Sequence, residues 1–396
     1  MADFMSSVVA NASMEQENEM EFEFWVPSHR VLLATLLIII AIVGFLGNAL
    51  VILAVALSRR LQTATNVFVI NLASADIMIT LLLWFHVVTL CSFHGLPFSV
   101  AVCKSIAGLS LLCLGSSAIS LTLIAFNRYF LITHKPTSYI KIYTPLNIGF
   151  MVAWTWIYPV LMIVIGTQSG LGDLGYSRRY KVCTQDTSHE KADYLTLLGG
   201  ASVLIPAVVL ILACYSKIYL HVRSHNRHLY RSRSIEGMSD ITCTTAAASP
   251  DQNRLSRPPI SPNEASAQSN ESDHQNGGTN GLATVISLER KRAKKARKQQ
   301  VEITKNLFIV VCAFLICVLP AAVASTIPSS DPAIPWISLI LVFNSCINPF
   351  IYASRHPNFK TVFKSILSCQ FNSIPDGSWR TKRSRSLYRS QKSFRV

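Results

Sequence analysis

The chain has 396 residues, of which 50% are hydrophobic and only 14% are charged, and its mean hydropathy is +0.36. Soluble globular domains carry roughly 25% charged residues, so this composition argues against a soluble fold. Lys and Arg exceed Asp and Glu by 36 to 21, which gives a formal net charge of +15. Ten cysteines are too few for a disulfide scaffold.

Seven long apolar runs predict seven transmembrane helices, because about 20 apolar helical residues cross the roughly 30 Å hydrocarbon core of a bilayer. The predicted spans cover residues 31–57, 66–91, 105–131, 143–168, 194–217, 306–328 and 333–353. Residues 1–30 are acidic and contain no apolar core typical of a cleavable signal peptide. We therefore expect an all-α membrane protein, a seven-transmembrane helix bundle whose first span is its own insertion signal.

The placement of basic residues predicts the orientation of the bundle. Only six of the 36 Lys and Arg residues lie in the N-terminal tail and the second, fourth and sixth connections: Arg30, Lys104, Arg178, Arg179, Lys181 and Lys191. Because cytoplasmic connections carry the excess of Lys and Arg, we expect the N-terminus outside and the C-terminus in the cytoplasm. The net charge then flanks the lipid bilayer, and no nucleic-acid partner is expected.

This topology predicts an extracellular tail (1–30), a seven-span domain (31–353), an amphipathic surface helix (354–369) and a cytoplasmic tail (370–396). A long cytoplasmic connection covers residues 222–300, and its polar, Gly-containing middle, about 234–282, is expected to be disordered. The segment from Glu289 to Lys298 predicts a basic helix leading into the sixth span. That helix is either a positive-inside anchor or a contact surface for a cytoplasmic partner.

Two modification sites and the surface helix follow from short patterns outside the spans. Asn11 begins a glycosylation sequon on the extracellular tail. Apolar residues at helical spacing predict a helix on the inner membrane surface: Phe359, Val362, Phe363, Ile366 and Leu367. Cys369 at its end is a candidate for palmitoylation.

Polar side chains inside the spans mark a candidate ion site. Asp76 is the only acid within a predicted span, and a carboxylate at mid-membrane costs about 2.5–3.5 kcal/mol on insertion scales. Hydroxyl and amide groups on other spans could partner it: Asn48, Ser117, Asn344, Ser345 and Asn348. Such oxygen atoms suit a small hard cation such as Na⁺. Plain hydrogen bonding between helices explains the same residues equally well.

Three prolines, Pro206, Pro320 and Pro349, fall inside the fifth, sixth and seventh spans. Proline frees a backbone carbonyl and kinks a helix. A kinked helix can swing its cytoplasmic end, so the bundle could pass a signal without moving material. No serine elbow, HExxH pair or Walker loop is present, and an enzyme is not expected.

Seven landmarks resemble the rhodopsin-like family of G-protein-coupled receptors, and the resemblance covers residues 31–369. In chain order they are Gly47-Asn48 with Val51, Leu72 to Asp76, Cys103, Asn127-Arg128-Tyr129, Pro206, Phe314 with Cys317 to Pro320, and Asn348 to Tyr352. Asn-Arg-Tyr together with Leu174 to Tyr176 is similar to melatonin-receptor-like and Moody-like invertebrate receptors. A transporter or channel is the alternative, although no internal repeat supports it.

The resemblance implies a plasma-membrane receptor that couples an extracellular ligand to a heterotrimeric G protein, with arrestin and receptor kinases as further partners. Cys103 would bridge Cys183, with Cys91 as the competing partner. Asn127-Arg128-Tyr129 would form the G-protein switch together with Tyr352. Asp76 and the polar residues around it would hold an allosteric Na⁺, and no other cofactor or structural metal is expected.

Some positions depart from the family pattern. The usual Asp-Arg-Tyr is Asn127-Arg128-Tyr129, the usual acid low in span six is Gln300, and the usual tryptophan before Pro320 is Val318. Both changes around Arg128 favour a freer arginine, and the effect of Val318 has no predicted sign.

The ligand pocket is predicted by position within the bundle. Ser110 stands where amine receptors place an aspartate, so we expect a neutral or amphipathic ligand rather than a biogenic amine. Span seven has no lysine, which excludes a retinal Schiff base. The candidate pocket residues are His86, Ser110, Leu114, Gln168, Ser202, Ala322 and Phe343.

Overall fold

The computed structural model describes residues 24, 26–92, 95–186, 200, 202–224, 227, 277–324 and 332–375, with the helix but not the side chains described for 277–300. Seven helices in these ranges are long and apolar enough to cross a membrane, which confirms the predicted bundle. Spans one to seven are Pro27–Leu57, Ala64–Cys91, Val100–Thr133, Pro145–Gln168, Ser202–Ser224, Val301–Ala324 and Ile334–Arg355.

Side-chain caps mark the first residues of three spans, and spans two and three begin before their apolar runs. Thr63, Ser99 and Thr144 precede spans two, three and four, and each side chain accepts a hydrogen bond from a first-turn backbone N–H. Such caps satisfy donors that the helix leaves free. Span three therefore begins at Val100, although its uncharged run begins only after Lys104.

A β-hairpin in the connection after span four was not predicted. Strand β1, Leu174–Ser177, pairs antiparallel with β2, Val182–Gln185, and Tyr176 lies opposite Cys183. Gly170 and Gly172, with φ of 68° and 152°, form the turn that leads into it. Both angles are ones that L-residues rarely adopt, so glycine is required there. A short helix, Pro136–Ile142, connects spans three and four.

The long connection is helical over more of its length than predicted. One helix, Gly277–Ala324, contains both the basic segment and span six and includes residues 277–282, at the end of the stretch for which disorder is predicted. Extending an existing helix adds a hydrogen bond for each residue, whereas nucleation is the costly step.

The chain divides into two units, Ser216–Glu302 and the remainder, and the features described next lie in the remainder.

The predicted short helix after span seven is present as Pro357–Leu367. Phe359, Val362, Phe363 and Ile366 are buried against the protein, whereas Leu367 is 73% exposed. The chain then turns back through Phe371–Ser373, the side chain of Ile374 is fully buried, and the Ser58 hydroxyl donates to the Pro375 carbonyl at 3.0 Å. Most of the apolar face therefore packs on protein, which leaves Leu367 for lipid.

Two glycines allow close contact between spans. A Cβ atom on Gly47 would lie 2.9 Å from Cβ and Cγ of Pro349, and one on Gly115 would lie 2.8 Å from Cγ of Pro159. Small residues at helix contacts let backbones approach in membranes. Gly47 thus places span one against span seven, and Gly115 places span three against span four.

We expect Gly47→Ala to lower the melting temperature of the purified protein in detergent. Overpacking costs about 1–3 kcal/mol and outweighs the roughly 0.5–1 kcal/mol that alanine gains over glycine in a helix. Gly149→Ala is the matched control, because a Cβ there meets no atom within 4 Å. A Gly47 variant as stable as the Gly149 variant would contradict the close packing.

Candidate functional site

A disulfide joins the hairpin to span three. Cys103 and Cys183 are bonded, with Cα atoms 5.2 Å apart, and Cys91 is free and exposed. The predicted pairing is confirmed. Both half-cystines are buried beside Leu82 and Ile106. We call this end of the bundle the disulfide end, and the opposite end, which carries Arg128, the arginine end.

Asp76 is fully buried and connects three spans. Its Oδ2 atom accepts a hydrogen bond from Asn348 Nδ2 at 2.9 Å, and its Oδ1 accepts one from Ser117 Oγ at 3.4 Å. Asn48 Nδ2 donates to the carbonyl oxygens of Ser345 at 2.7 Å and Gly44 at 2.9 Å. The structure therefore brings spans one, two, three and seven together around the predicted polar residues.

The donor set around Asp76 fits a hard monovalent cation. Asn344 and Asn348 lie one helical turn apart on span seven, and the Oδ1 atom of each is buried with no hydrogen-bond partner among the described residues. A buried acceptor without a partner is costly, and a bound cation or water would satisfy it. Over the described ranges, no group of three or more His, Cys, Asp or Glu is arranged to hold a metal.

Asn127, which replaces the usual aspartate, makes two hydrogen bonds at the arginine end. Its Oδ1 atom accepts from the Thr65 hydroxyl of span two, and its Nδ2 donates to the Tyr139 hydroxyl of the connection helix at 3.1 Å. Asn127 is fully buried and the neighbouring Arg128 is 4% exposed. Asn127 thus holds span three to two neighbouring elements without carrying charge.

Aromatic rings surround the other predicted switch residues. Tyr129 contacts the rings of Phe130 and His134, with centroids 5.4 and 5.2 Å apart. Tyr352 is buried and stacks on Phe359 of the surface helix at 5.3 Å. Its hydroxyl has no hydrogen-bond partner in the described part of the chain. A rotation of Tyr352 would therefore break a ring contact but no hydrogen bond.

Two titratable groups flank the membrane at this end. Burial, with a smaller effect from the charge of Arg128, lowers the pKa of His356 to about 4. The imidazole is therefore neutral at physiological pH, and its Nδ1 accepts from the Phe359 N–H at 3.5 Å as a cap of the surface helix. Burial raises the pKa of Tyr143, whose ring contacts Phe68, Phe130 and Tyr139.

The structure brings only part of the predicted ligand pocket into contact. His86 Nε2 and Ser110 Oγ are 3.4 Å apart on spans two and three. Ser202 contributes its carbonyl oxygen to the Tyr158 hydroxyl at 3.3 Å, and Gln168 is exposed at the end of span four. Leu114 and Ala322 are half-buried, whereas Phe343 is 45% exposed. Their common pocket stays a prediction.

A polar cluster around Asn71 was missed. Asn71 Nδ2 donates to Ser120 Oγ at 2.8 Å and Thr155 Oγ1 at 2.9 Å, and Trp156 Nε1 donates to Asn71 Oδ1 at 2.9 Å. These bonds join spans two, three and four. The signal was available, because an amide inside a membrane span needs partners.

Other predicted positions stay predictions. Pro206, Pro320 and Pro349 lie inside continuous helices, and Pro159 in span four is a further internal proline. Cys369 is exposed just beyond the surface helix. Asn11 and the side chain of Gln300 lie outside the described residues.

Seven apolar helices, a disulfide between the third span and the connection after span four, and a buried arginine near the end of span three define a seven-helix membrane bundle. Residues 47–352 match the family model described as "7 transmembrane receptor (rhodopsin family)". This match covers most of the chain, which therefore belongs to the rhodopsin family of seven-transmembrane receptors. The chain is a multi-pass membrane protein of this receptor family.

The individual relatives share less than 30% of their residues with this chain. G-protein coupled receptor moody of Drosophila pseudoobscura pseudoobscura is 27% identical, over 85% of this chain and 52% of that protein. The human Alpha-1D adrenergic receptor is 28% identical, over 87% of this chain and 56% of that receptor. The chain thus spans about half the length of these relatives. Squid rhodopsin has a similar fold, with a TM-score of 0.65, 18% identity, and coverage of 92% of this chain and 93% of that one.

We expect Cys103→Ser or Cys183→Ser to lower the free energy of unfolding by about 2–5 kcal/mol, the usual cost of losing a native disulfide. Thermal unfolding with and without a reducing agent measures the loss. Cys91→Ser is the control and should behave as the parent protein, because this thiol is free. A reducing agent that destabilises the Cys103→Ser variant as much as the parent would contradict the assignment.

Proposed function

We propose that this chain is a plasma-membrane receptor that converts binding of an extracellular ligand into activation of a heterotrimeric G protein. The disulfide end would face outside and the arginine end the cytoplasm, as the basic residues predict. Arrestin and receptor kinases belong to the same proposal as cytoplasmic partners. The observation that carries it is the arginine end, where buried Arg128 adjoins the hydrogen bonds of Asn127.

Activation in this proposal is a movement of span six away from span seven. Asn306 Nδ2 donates to the Arg355 carbonyl at 2.7 Å and ties the arginine ends of these two spans. Pro320 supplies a point at which the helix of span six can bend. Opening would break the Asn306 bond and expose Arg128 to the G protein. The two arrangements differ in these contacts, as a two-state switch requires.

The Asn127 hydrogen bonds allow a clean test of basal activity. Aspartate at this position can accept from the hydroxyls of both Thr65 and Tyr139, so both bonds are kept while a negative charge is added beside Arg128. A charge-assisted hydrogen bond contributes about 1.5–3 kcal/mol, and about 1.4 kcal/mol changes an equilibrium tenfold. The added charge should therefore favour the inactive state.

We expect the parent receptor to load a panel of G proteins with GTP in the absence of ligand. In Asn127→Asp this basal loading should fall several fold, to as little as about a tenth of the parent value. Thr137→Asp is the control, since it adds a carboxylate at an exposed position of the connection helix at the arginine end. Equal loading by parent and Asn127→Asp at matched surface expression would contradict the proposed role. Loading absent with every G protein would contradict the receptor proposal.

The ligand class in this proposal is neutral or amphipathic. One relative is named an adrenergic receptor and another, from Didelphis virginiana, is "5-hydroxytryptamine receptor 1B". A protonated amine needs a counter-ion, yet span three carries Ser110, and Asp76 and Glu302 are the only acids in the seven spans. His86 and Ser110 instead offer uncharged hydrogen-bonding groups. Thermal-shift screening of biogenic amines against neutral and amphipathic compounds tests this preference.

We also propose that Asp76 binds Na⁺ in the inactive state. The ligands would be its carboxylate, the hydroxyl of Ser117 and the side-chain oxygens of Asn344 and Asn348. The support is the pair of buried amide oxygens without hydrogen-bond partners among the described residues. Na⁺ binding would stabilise the folded receptor in proportion to RT ln(1 + [Na⁺]/Kd).

We expect Na⁺, compared with K⁺ at equal ionic strength, to raise the melting temperature and lower ligand-free GTP loading of the parent receptor. Asp76→Asn should remove both effects, because it neutralises the carboxylate with little change in shape. Ser74→Ala is a control, since the Ser74 hydroxyl on the same span donates to the Ile70 carbonyl at 2.9 Å, away from the Asp76 carboxylate. A Na⁺ response unchanged in Asp76→Asn would contradict the site.

A further inference from the structure

A cleft at the disulfide end shares no lining residue with the Asp76 site. It has a volume of about 530 Å³. One wall comes from Lys104 near the start of span three, and the other comes from Ile163, Thr167 and Gln168 at the end of span four. The glycine turn that leads to β1, with Asp173, closes the remaining side. Gln168, predicted for the ligand pocket, lines this cleft instead.

The cleft holds one positive and one negative group side by side. Lys104 Nζ forms an ion pair with Asp173 Oδ2, and the two side chains are 44% and 48% exposed. The other carboxylate oxygen of Asp173 accepts the Leu174 N–H at 2.8 Å. The backbone thus fixes the carboxylate, whereas the lysine is long and can reorient. An exposed ion pair contributes little to stability, so a ligand can separate it at low cost.

Neutral hydrogen-bonding groups continue the cleft toward the apolar part of span four. The Gln168 amide is exposed and makes no hydrogen bond among the described residues. The Thr167 hydroxyl donates to the Ile163 and Val164 carbonyls, and its oxygen can still accept. Next to these groups Val164 and Leu161 are exposed, 49% and 43%, on the membrane-spanning surface. The neutral polar groups at the end of span four therefore lie between the charged pair and the exposed apolar residues of the same span.

We propose that this cleft binds the headgroup of a zwitterionic phospholipid, with phosphatidylethanolamine as the preferred class. The phosphate would bind Lys104, the primary ammonium would donate to Asp173, and the ester carbonyls would accept from Gln168. The acyl chains would lie along the exposed apolar surface of span four. The ends of spans three and four lie where the hydrocarbon meets the headgroup region, which is the depth that such a ligand requires.

The same headgroup chemistry exists in a soluble molecule, free phosphoethanolamine. The order of the groups favours the lipid, because the exposed apolar residues Val164 and Leu161 lie about one and two turns before Gln168 on span four. An anionic lipid satisfies Lys104 with the same phosphate but has no ammonium to pair with Asp173. Phosphatidylglycerol with the same acyl chains is therefore the discriminating competitor.

Native mass spectrometry of the purified full-length chain in detergent tests the proposal. The two lipids are added in equal amounts with the same palmitoyl-oleoyl chains. The parent protein should retain at least about three times as much phosphatidylethanolamine as phosphatidylglycerol. The K104Q/D173N double variant should lose this preference. Lys141→Gln is the control, because Lys141 is exposed on the helix that connects spans three and four at the arginine end, and it should keep the preference.

A photoreactive phosphatidylethanolamine keeps the proposal testable if the double variant does not fold. In the parent protein its cross-links should map to residues 163–174. Equal retention of both lipids, a preference unchanged in the folded double variant, or cross-links confined to other segments would overturn the proposal. Stabilisation by free phosphoethanolamine without any preference among lipids would also overturn it, by assigning the cleft to a soluble zwitterion. None of these readouts depends on the receptor ligand or the G protein.

Discussion

A polar side chain buried in a bilayer must find its partners within the protein, and that constraint organises most of this bundle. Asp76 joins spans two, three and seven, and Asn71 joins spans two, three and four nearer the arginine end. Asn127 then joins span three to span two and to the connection helix. The cost of leaving any of these groups without a partner fixes the positions of the helices that supply the partners.

Polar contacts and two close glycine contacts join spans one to four and seven into a framework. Spans one to four and seven share the hydrogen bonds of Asp76, Asn48 and Asn71, and Gly47 and Gly115 give close contacts. Among the described side-chain hydrogen bonds, span five is joined to the framework through Tyr158, and span six through Asn306. The internal prolines Pro206 and Pro320 lie in these two spans.

Hydropathy located all seven spans, because the hydrocarbon core imposes both a length and a composition. It placed helix ends poorly, since caps such as Ser99 lie in water beyond the apolar run. The resemblance identified the Cys103–Cys183 bond and the polar residues around Asp76, although their roles remain predictions. The hairpin and the partners of Asn127 were missed. A sequence shows that an amide needs partners, but Thr65 and Tyr139 become those partners only when two other elements fold beside it.

In the proposed G-protein switch, the Asn127 amide also makes residue 127 insensitive to pH. The carboxylate that relatives of the family usually carry at this position can take up a proton, so its restraint on the arginine can weaken as pH falls. An amide has no such equilibrium, so the Asn127 side chain itself takes up no proton while it makes its two hydrogen bonds. Residue 127 therefore binds the same number of protons, none, in the proposed inactive and active states. By linkage, it adds no pH dependence to the equilibrium between those states. The balance between these states at this position is therefore set by packing and hydrogen bonding alone.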